Sequence, residues 1–183
     1  MTLNRDLQTR REQWRWRGQE RPAFAVIPME GQESVWDYPR PPRIEEDSRE
    51  VVIRWGALEI ARTRRAYRIL ETAHPPCFYL PWDDVARQFL VPGSGGSICE
   101  WKGPARYWSL DHDGQTLVNV AWSYPDPLPG AEPIAGCVAF YPGSLQCTVD
   151  GARVTPQPGG FYGGWITPEL TGPFKGAAGS MGW

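Results

Sequence analysis

The sequence predicts an all-β or β-dominated single domain carrying one short helix. Three observations carry that prediction. From residue 51 onward, apolar and polar side chains alternate in short runs of the kind that make half-buried strands. Two Asp-Gly pairs, at 113–114 and 150–151, sit between such runs where tight hairpin turns are needed. The chain of 183 residues also holds 20 glycines, 19 prolines and 10 tryptophans, a composition that favours many strands joined by tight loops.

Taken in order, residues 1–49 read as a separate charged arm, and residues 50–183 as the folded domain. The arm carries nine arginines and nine acidic residues. Leu3, Leu7 and Trp14 fall near helical spacing, so one weakly amphipathic helix is expected there. The stretch "ESVWDYPRPPR" cannot be regular helix, because its prolines lock φ and remove amide donors. Its Trp36 and Tyr38 are costly to leave in water, so the arm should lie across the body.

Beyond the arm, "VVIRW", Gly56 and "LEIART" read as a hairpin, followed by "AYRILET" and the proline-bounded "CFYLP". "WDDVARQFL" reads as the one helix of the domain, with Asp83 as N-cap and Val85, Phe89 and Leu90 on one face. The run "PGSGGS" ends it. "ICEW", "ARYWSL", "TLVNVAW", "GCVAFY" and "CTV" complete the strands, and the last 28 residues form a Gly-, Pro- and aromatic-rich tail.

Bulk properties exclude several classes of function. A net charge of −2 leaves no electrostatic footprint for nucleic acid or an anionic membrane. No apolar run reaches membrane-spanning length and the first residues lack a signal-peptide core, so a cytoplasmic protein is expected. Cys77, Cys99, Cys137 and Cys147 form no C-x-x-C pair, and with two histidines they offer no zinc spacing. Neither a metal site nor a cofactor is implied, and nothing in the residues speaks to oligomeric state.

Only two of the 19 basic residues are lysines, and both stand in aromatic–Lys–Gly contexts, at Lys102 and Lys175. Lysine offers a compact, tunable charge that arginine does not, so these positions draw attention. Glu100 and Lys102 alternate around Trp101 and should project from one face. They admit two readings, a structural ion pair or the polar floor of a pocket walled by Trp101, Tyr107 and Trp108. Lys175 is expected to pin the tail to the body. His74, held extended by the prolines after it and three residues from Glu71, fits either a general acid/base or a hydrogen-bonded loop histidine. Gly96-Ser97, with Asp111 and Asp113 following, fits the loose spacing of a polymerase-type nucleotidyltransferase. Asp111 and Asp113 would then hold metal ions, unless they simply form a hairpin turn.

The segments "RRAYRILETAHPPCFYLPWDDV", "CEWKGPARYW", "AWSYPDP", "GCVAFYPG" and "PQPGGFYGGWITPELTGPFKGAAGSMGW" resemble the domain-of-unknown-function family 427, as does "ESVWDYPRPPR". The resemblance covers residues 31–183. It implies a β-tent-like pair of facing antiparallel sheets. Some β-tent relatives bind zinc through paired C-x-x-C knuckles, which this sequence lacks. The family carries a nucleotidyltransferase label but no activity that transfers to particular residues.

The expected function is therefore binding of a small molecule, heterocyclic or nucleotide-like, in an aromatic-lined pocket between the sheets. Tyr79, Glu100, Trp101, Tyr107, Trp108 and Trp122 are its candidate ligand-binding residues, and His74, Glu71 and Lys102 its candidate catalytic ones. Nucleotidyl transfer and a non-catalytic interaction module are the alternatives.

Overall fold

The computed structural model describes residues 2–183, with side chains from Arg5 onward, so the Leu3 side chain lies outside the described residues. Helix α1 (Thr2–Glu12) leads into an irregular segment and then fifteen strands. These are β1 (Glu33–Ser34), β2 (Arg43–Asp47), β3 (Val51–Trp55), β4 (Leu58–Thr63), β5 (Ala66–Leu70), β6 (Cys77–Pro81), β7 (Leu90–Cys99) and β8 (Gly103–His112). They continue with β9 (Gln115–Ser123), β10 (Cys137–Phe140), β11 (Gln146–Val149), β12 (Ala152–Arg153), β13 (Thr155–Pro156), β14 (Trp165–Ile166) and β15 (Leu170–Thr171).

Two antiparallel sheets make the body. The larger has seven strands in the order β2-β5-β6-β10-β9-β8-β7, and the smaller has four in the order β12-β11-β3-β4. Alternation along each strand sends one set of side chains into the space between them. Ile53, Ile60, Phe78, Leu80, Val138, Phe140, Cys147 and Trp165 fill that space. The Trp165 indole donates to the Phe140 carbonyl at 2.9 Å, so even its polar edge is satisfied in the core.

The other face of the large sheet carries the intervening residues, and its centre is aromatic. Tyr67 pairs with Tyr79, Tyr79 with Ala139, Ala139 with Trp122, and Trp122 with Tyr107. Directly opposed residues share a face, so one row of side chains crosses five strands. The small Ala139 in the middle leaves room for its large neighbours.

The arm and tail meet each other as well as the body. β1 pairs in parallel with β15, and Trp36 and Tyr38 are buried beside Leu70, Ala73 and Leu170. The expectation that this stretch lies across the body is met.

Two elements differ from the sequence expectation. Residues 82–90 are not an α-helix but two 3₁₀ turns, Trp82–Asp84 and Arg87–Phe89, separated by extended backbone at Val85. Tertiary pairing overrides the helical pattern: Val85 bridges to Ala61 and the Ala86 amide donates to the Ile60 carbonyl at 2.8 Å. Asp83 caps nothing, and Asp84 instead ties the segment to Thr63 and Arg65. The run "PGSGGS" is part of β7, where it forms a register shift between Pro92 and Gly96 rather than a terminating loop.

Candidate functional site

The cavity of interest, about 270 Å³, lies on the aromatic face of the seven-stranded sheet. The expectation of a pocket between the two sheets is therefore corrected. The space between the sheets is closed by Phe78, Leu80, Phe140 and Trp165, which leaves the opposite side chains of the same strands to line a hollow.

Its floor is the aromatic row. Tyr79, Trp122 and Tyr107 all line it, with the Trp122 indole donating to the Tyr79 hydroxyl at 3.0 Å and Tyr107 donating to Ser97 at 2.9 Å. Tyr141 packs against Trp122 with ring centroids 4.5 Å apart. The roof comes from both ends of the chain. Trp14 closes one side, its indole donating to Glu100 Oε1 at 2.8 Å, and Tyr162 closes another, edge-on to His74 at 4.6 Å. Gly163 lies directly on the Trp122 ring, where a Cβ would fall 2.2 Å from the nearest ring carbon. No other residue fits there.

Glu71 and His74 are placed by a turn after β5, in which the His74 amide donates to the Glu71 carbonyl at 2.9 Å. Ala73 between them has φ of 68°, and its backbone is clamped from both sides by Val35 and Lys175. Lys102 sits in the β7–β8 turn, where its carbonyl accepts from the Leu128 amide at 3.0 Å.

The polar wall has a defined protonation pattern. The Gln157 carboxamide orientation is set by the Gly164 amide, which donates to its Oε1 at 3.1 Å. Its Nε2 then donates to the Lys175 carbonyl at 2.8 Å and to His74 Nδ1 at 3.0 Å. His74 Nδ1 is accordingly an acceptor, and the ring hydrogen resides on Nε2. Burial pushes the imidazole down to about 4; Glu71 opposes that shift, and Arg40, Lys175 and Lys102 add repulsion. His74 is neutral near pH 7.

Glu71 is the reverse case. Burial opposes its charge, but the cations Lys102 and Arg40 favour it and keep it ionised. Its Oε1 accepts from Arg40 Nε at 3.1 Å, and the Arg40 side chain is 0% exposed. Arg40 also donates to the carbonyls of Trp16, Thr72 and Trp183, so all three of its nitrogens have acceptors. Lys102 is held well above the ordinary lysine range. Burial works against its charge, and the Glu71 carboxylate favours it. Burial pushes the Cys77 thiol up to about 12, which leaves it a neutral part of the wall.

Of the residues singled out from the sequence, Glu71, His74, Tyr79, Glu100, Lys102, Tyr107 and Trp122 line this one cavity. Trp101 and Trp108 do not. Trp108 follows Tyr107 on the same strand and so faces the inter-sheet core, 5.2 Å from the Trp82 ring, with its indole donating to Ser123. Trp101 turns away beside Arg11 and lines a separate hollow of about 120 Å³. Glu100 and Lys102 share the wall without forming an ion pair, because Glu100 Oε1 is engaged by Trp14. Asp111 and Asp113 are exposed at the tip of the β8–β9 hairpin, with Asp113 and Gly114 both at positive φ, as the hairpin-turn reading requires. Among the described residues, no three His, Cys, Asp or Glu side chains are grouped as metal ligands.

Among the lining residues that sequence reasoning missed are Arg10, Trp14, Cys77, Cys99, Tyr124, Tyr141, Gln157 and Tyr162. "FYGGW", with aromatics beside paired glycines, was the available signal for the tail's contribution. Nothing local marked Trp14. Lys175 does pin the tail: it is 0% exposed, stacks 3.7 Å over Trp14 and donates to the Trp183 carbonyl at 2.7 Å.

A comparison with curated proteins finds no match. The family model described as a domain of unknown function (DUF427) matches residues 43–152, from β2 through β11 and the first residue of β12. That span holds the cavity floor with Glu71, His74, Glu100 and Lys102, while Trp14 and Tyr162 of the roof lie outside it. This chain belongs to the DUF427 family.

Proposed function

We propose that the chain binds a small planar molecule, heterocyclic in class, against the aromatic row of the large sheet. The observation that carries the reading is convergence. Lys102, His74 and Glu71, from two separate turns, border a hollow floored by Tyr79, Trp122 and Tyr107. Flat aromatic walls with a few fixed polar groups suit a ring system whose edge carries hydrogen-bonding atoms. His74 offers an Nε2 donor, and Glu71 has one oxygen not taken by Arg40.

The test is a thermal-shift screen with purines, pyrimidines, indoles and quinolines. A ligand at about 100 times its Kd stabilises by about 2.7 kcal/mol, which is several degrees in a chain of this size. The shift should vanish in Tyr107→Ala, whose side chain forms one wall. A screen without any shift refutes the reading.

The nucleotidyltransferase reading named by the family label draws no support from Asp111 and Asp113, which stand at the exposed hairpin tip. The interaction-module reading draws on Val26, Ile27 and Met29, apolar side chains exposed in the arm. It gains if the screen fails.

A further inference from the structure

We propose that the cavity takes a monoanion, a one- or two-ring aromatic or heteroaromatic carboxylate whose acid group is anchored by Lys102. The inference rests on the binding function proposed above and names the class of its ligand.

Lys102 is the one cavity-lining lysine, and its ammonium is unusual for a group so enclosed. Among the described residues it makes no ion pair and donates no hydrogen bond; it faces the Tyr124 ring, with Nζ 6.0 Å from the centroid. The other cation lining the hollow, Arg10, is exposed to solvent, and the two carboxylates of the wall have partners. Arg40 pairs with Glu71, and the Trp14 indole donates to the Glu100 carboxylate, while Arg11 donates to the Glu100 main-chain carbonyl. Lys175, the second lysine, donates to a carbonyl. Lys102 is not sealed away either. The single fully enclosed side-chain nitrogen or oxygen lacking a partner among the described residues is Trp101 Nε1, so the Lys102 ammonium reaches open space, and Lys102 borders both this hollow and the smaller one beside Trp101. An enclosed ammonium without a counter-charge is costly, and an anion arriving from solution removes that cost.

Charge and size narrow the class. Lys102 is the one lining cation that is not exposed, and a single such charge matches a single negative charge. Glu71 and Glu100 in the same wall oppose a second, which disfavours a phosphate dianion. A volume of about 270 Å³ corresponds to about nine waters, enough for one or two rings and too little for a nucleoside polyphosphate. His74 Nε2–H supplies a second donor to the acid group or a ring heteroatom.

The experiment is calorimetric titration of the full chain with indole-3-carboxylate, quinoline-2-carboxylate and naphthalene-2-carboxylate, each beside its neutral carboxamide. At least one acid should bind tenfold or more tightly than its amide. Lys102→Met should reduce that ratio to about one with an unchanged circular dichroism spectrum. Lys102→Arg, which keeps the charge, should retain part of the preference and stands in if Lys102→Met fails to fold. Asp111→Asn, at the exposed hairpin tip outside the cavity, should keep the preference whole. Acid and amide binding equally well overturns the anion anchor and leaves the binding function standing. A preference kept by Lys102→Met overturns the assignment to Lys102. Failure of every acid and amide overturns both.

Discussion

The neutral state of His74 has a measurable thermodynamic consequence. In the unfolded chain its imidazole titrates near 6.5, whereas in the fold it is pushed down to about 4. Between those values the unfolded chain binds a proton that the folded chain does not. Stability contributed by this group is therefore complete above pH 6.5 and is lost as pH falls toward 4. Each tenfold change in proton affinity is worth about 1.4 kcal/mol, so the full loss is about 3 kcal/mol, and the part expressed between pH 7 and pH 5 is about 2 kcal/mol. The depressed carboxylates of Asp47, Asp84 and Glu169 act at lower pH, since their unfolded values already lie near 4. Urea unfolding of the wild type and of His74→Asn at pH 5 and pH 7 isolates the effect: the variant should lose about 2 kcal/mol less than the wild type on acidification. Nitrogen-15 NMR should show the Nε2–H tautomer throughout that range. An imidazole that titrates near 6.5 in the folded protein, or an unchanged pH slope in the variant, refutes the reasoning.

Three further outcomes follow from the same geometry. Lys175→Arg should destabilise by about 1–3 kcal/mol in chemical unfolding, because the lysine is 0% exposed under Trp14 and a guanidinium overfills its niche. Glu71→Gln should cost about 3 kcal/mol or more, since it leaves the 0%-exposed Arg40 side chain without its carboxylate. Asp111→Asn combined with Asp113→Asn should stay within about 0.5 kcal/mol of the wild type and leave any ligand shift intact, as both side chains are exposed at a turn that Asn also tolerates.

How much of this was legible beforehand depends on the kind of information each feature uses. The β5–β6 and β8–β9 strands were readable because period-2 patterning and an Asp-Gly turn are local signals. The failed helix at residues 82–90 shows where local signals stop, since its helical spacing was outweighed by pairing of Val85 with Ala61, which are 24 positions apart. "RYWSL" illustrates the limit for the site. Tyr107 and Trp108 are adjacent, so a strand must send them to opposite faces, and nothing in the pentapeptide says which face holds the hollow. Glu71, His74 and Lys102 were found by residue chemistry alone. The roof was not, because Trp14 and Tyr162 meet only through the path of the whole chain.

The central claim is that a planar ligand lies on the outer aromatic row and not between the sheets. Tryptophan side-chain N–H resonances test it most directly, because the indoles of Trp14 and Trp122 border the cavity while those of Trp108 and Trp165 face the opposite layer. Titration with quinoline-2-carboxylate should move the Trp14 and Trp122 signals and leave Trp108 and Trp165 in place. Movement confined to Trp108 and Trp165, or of no indole at all at saturating ligand, contradicts the account.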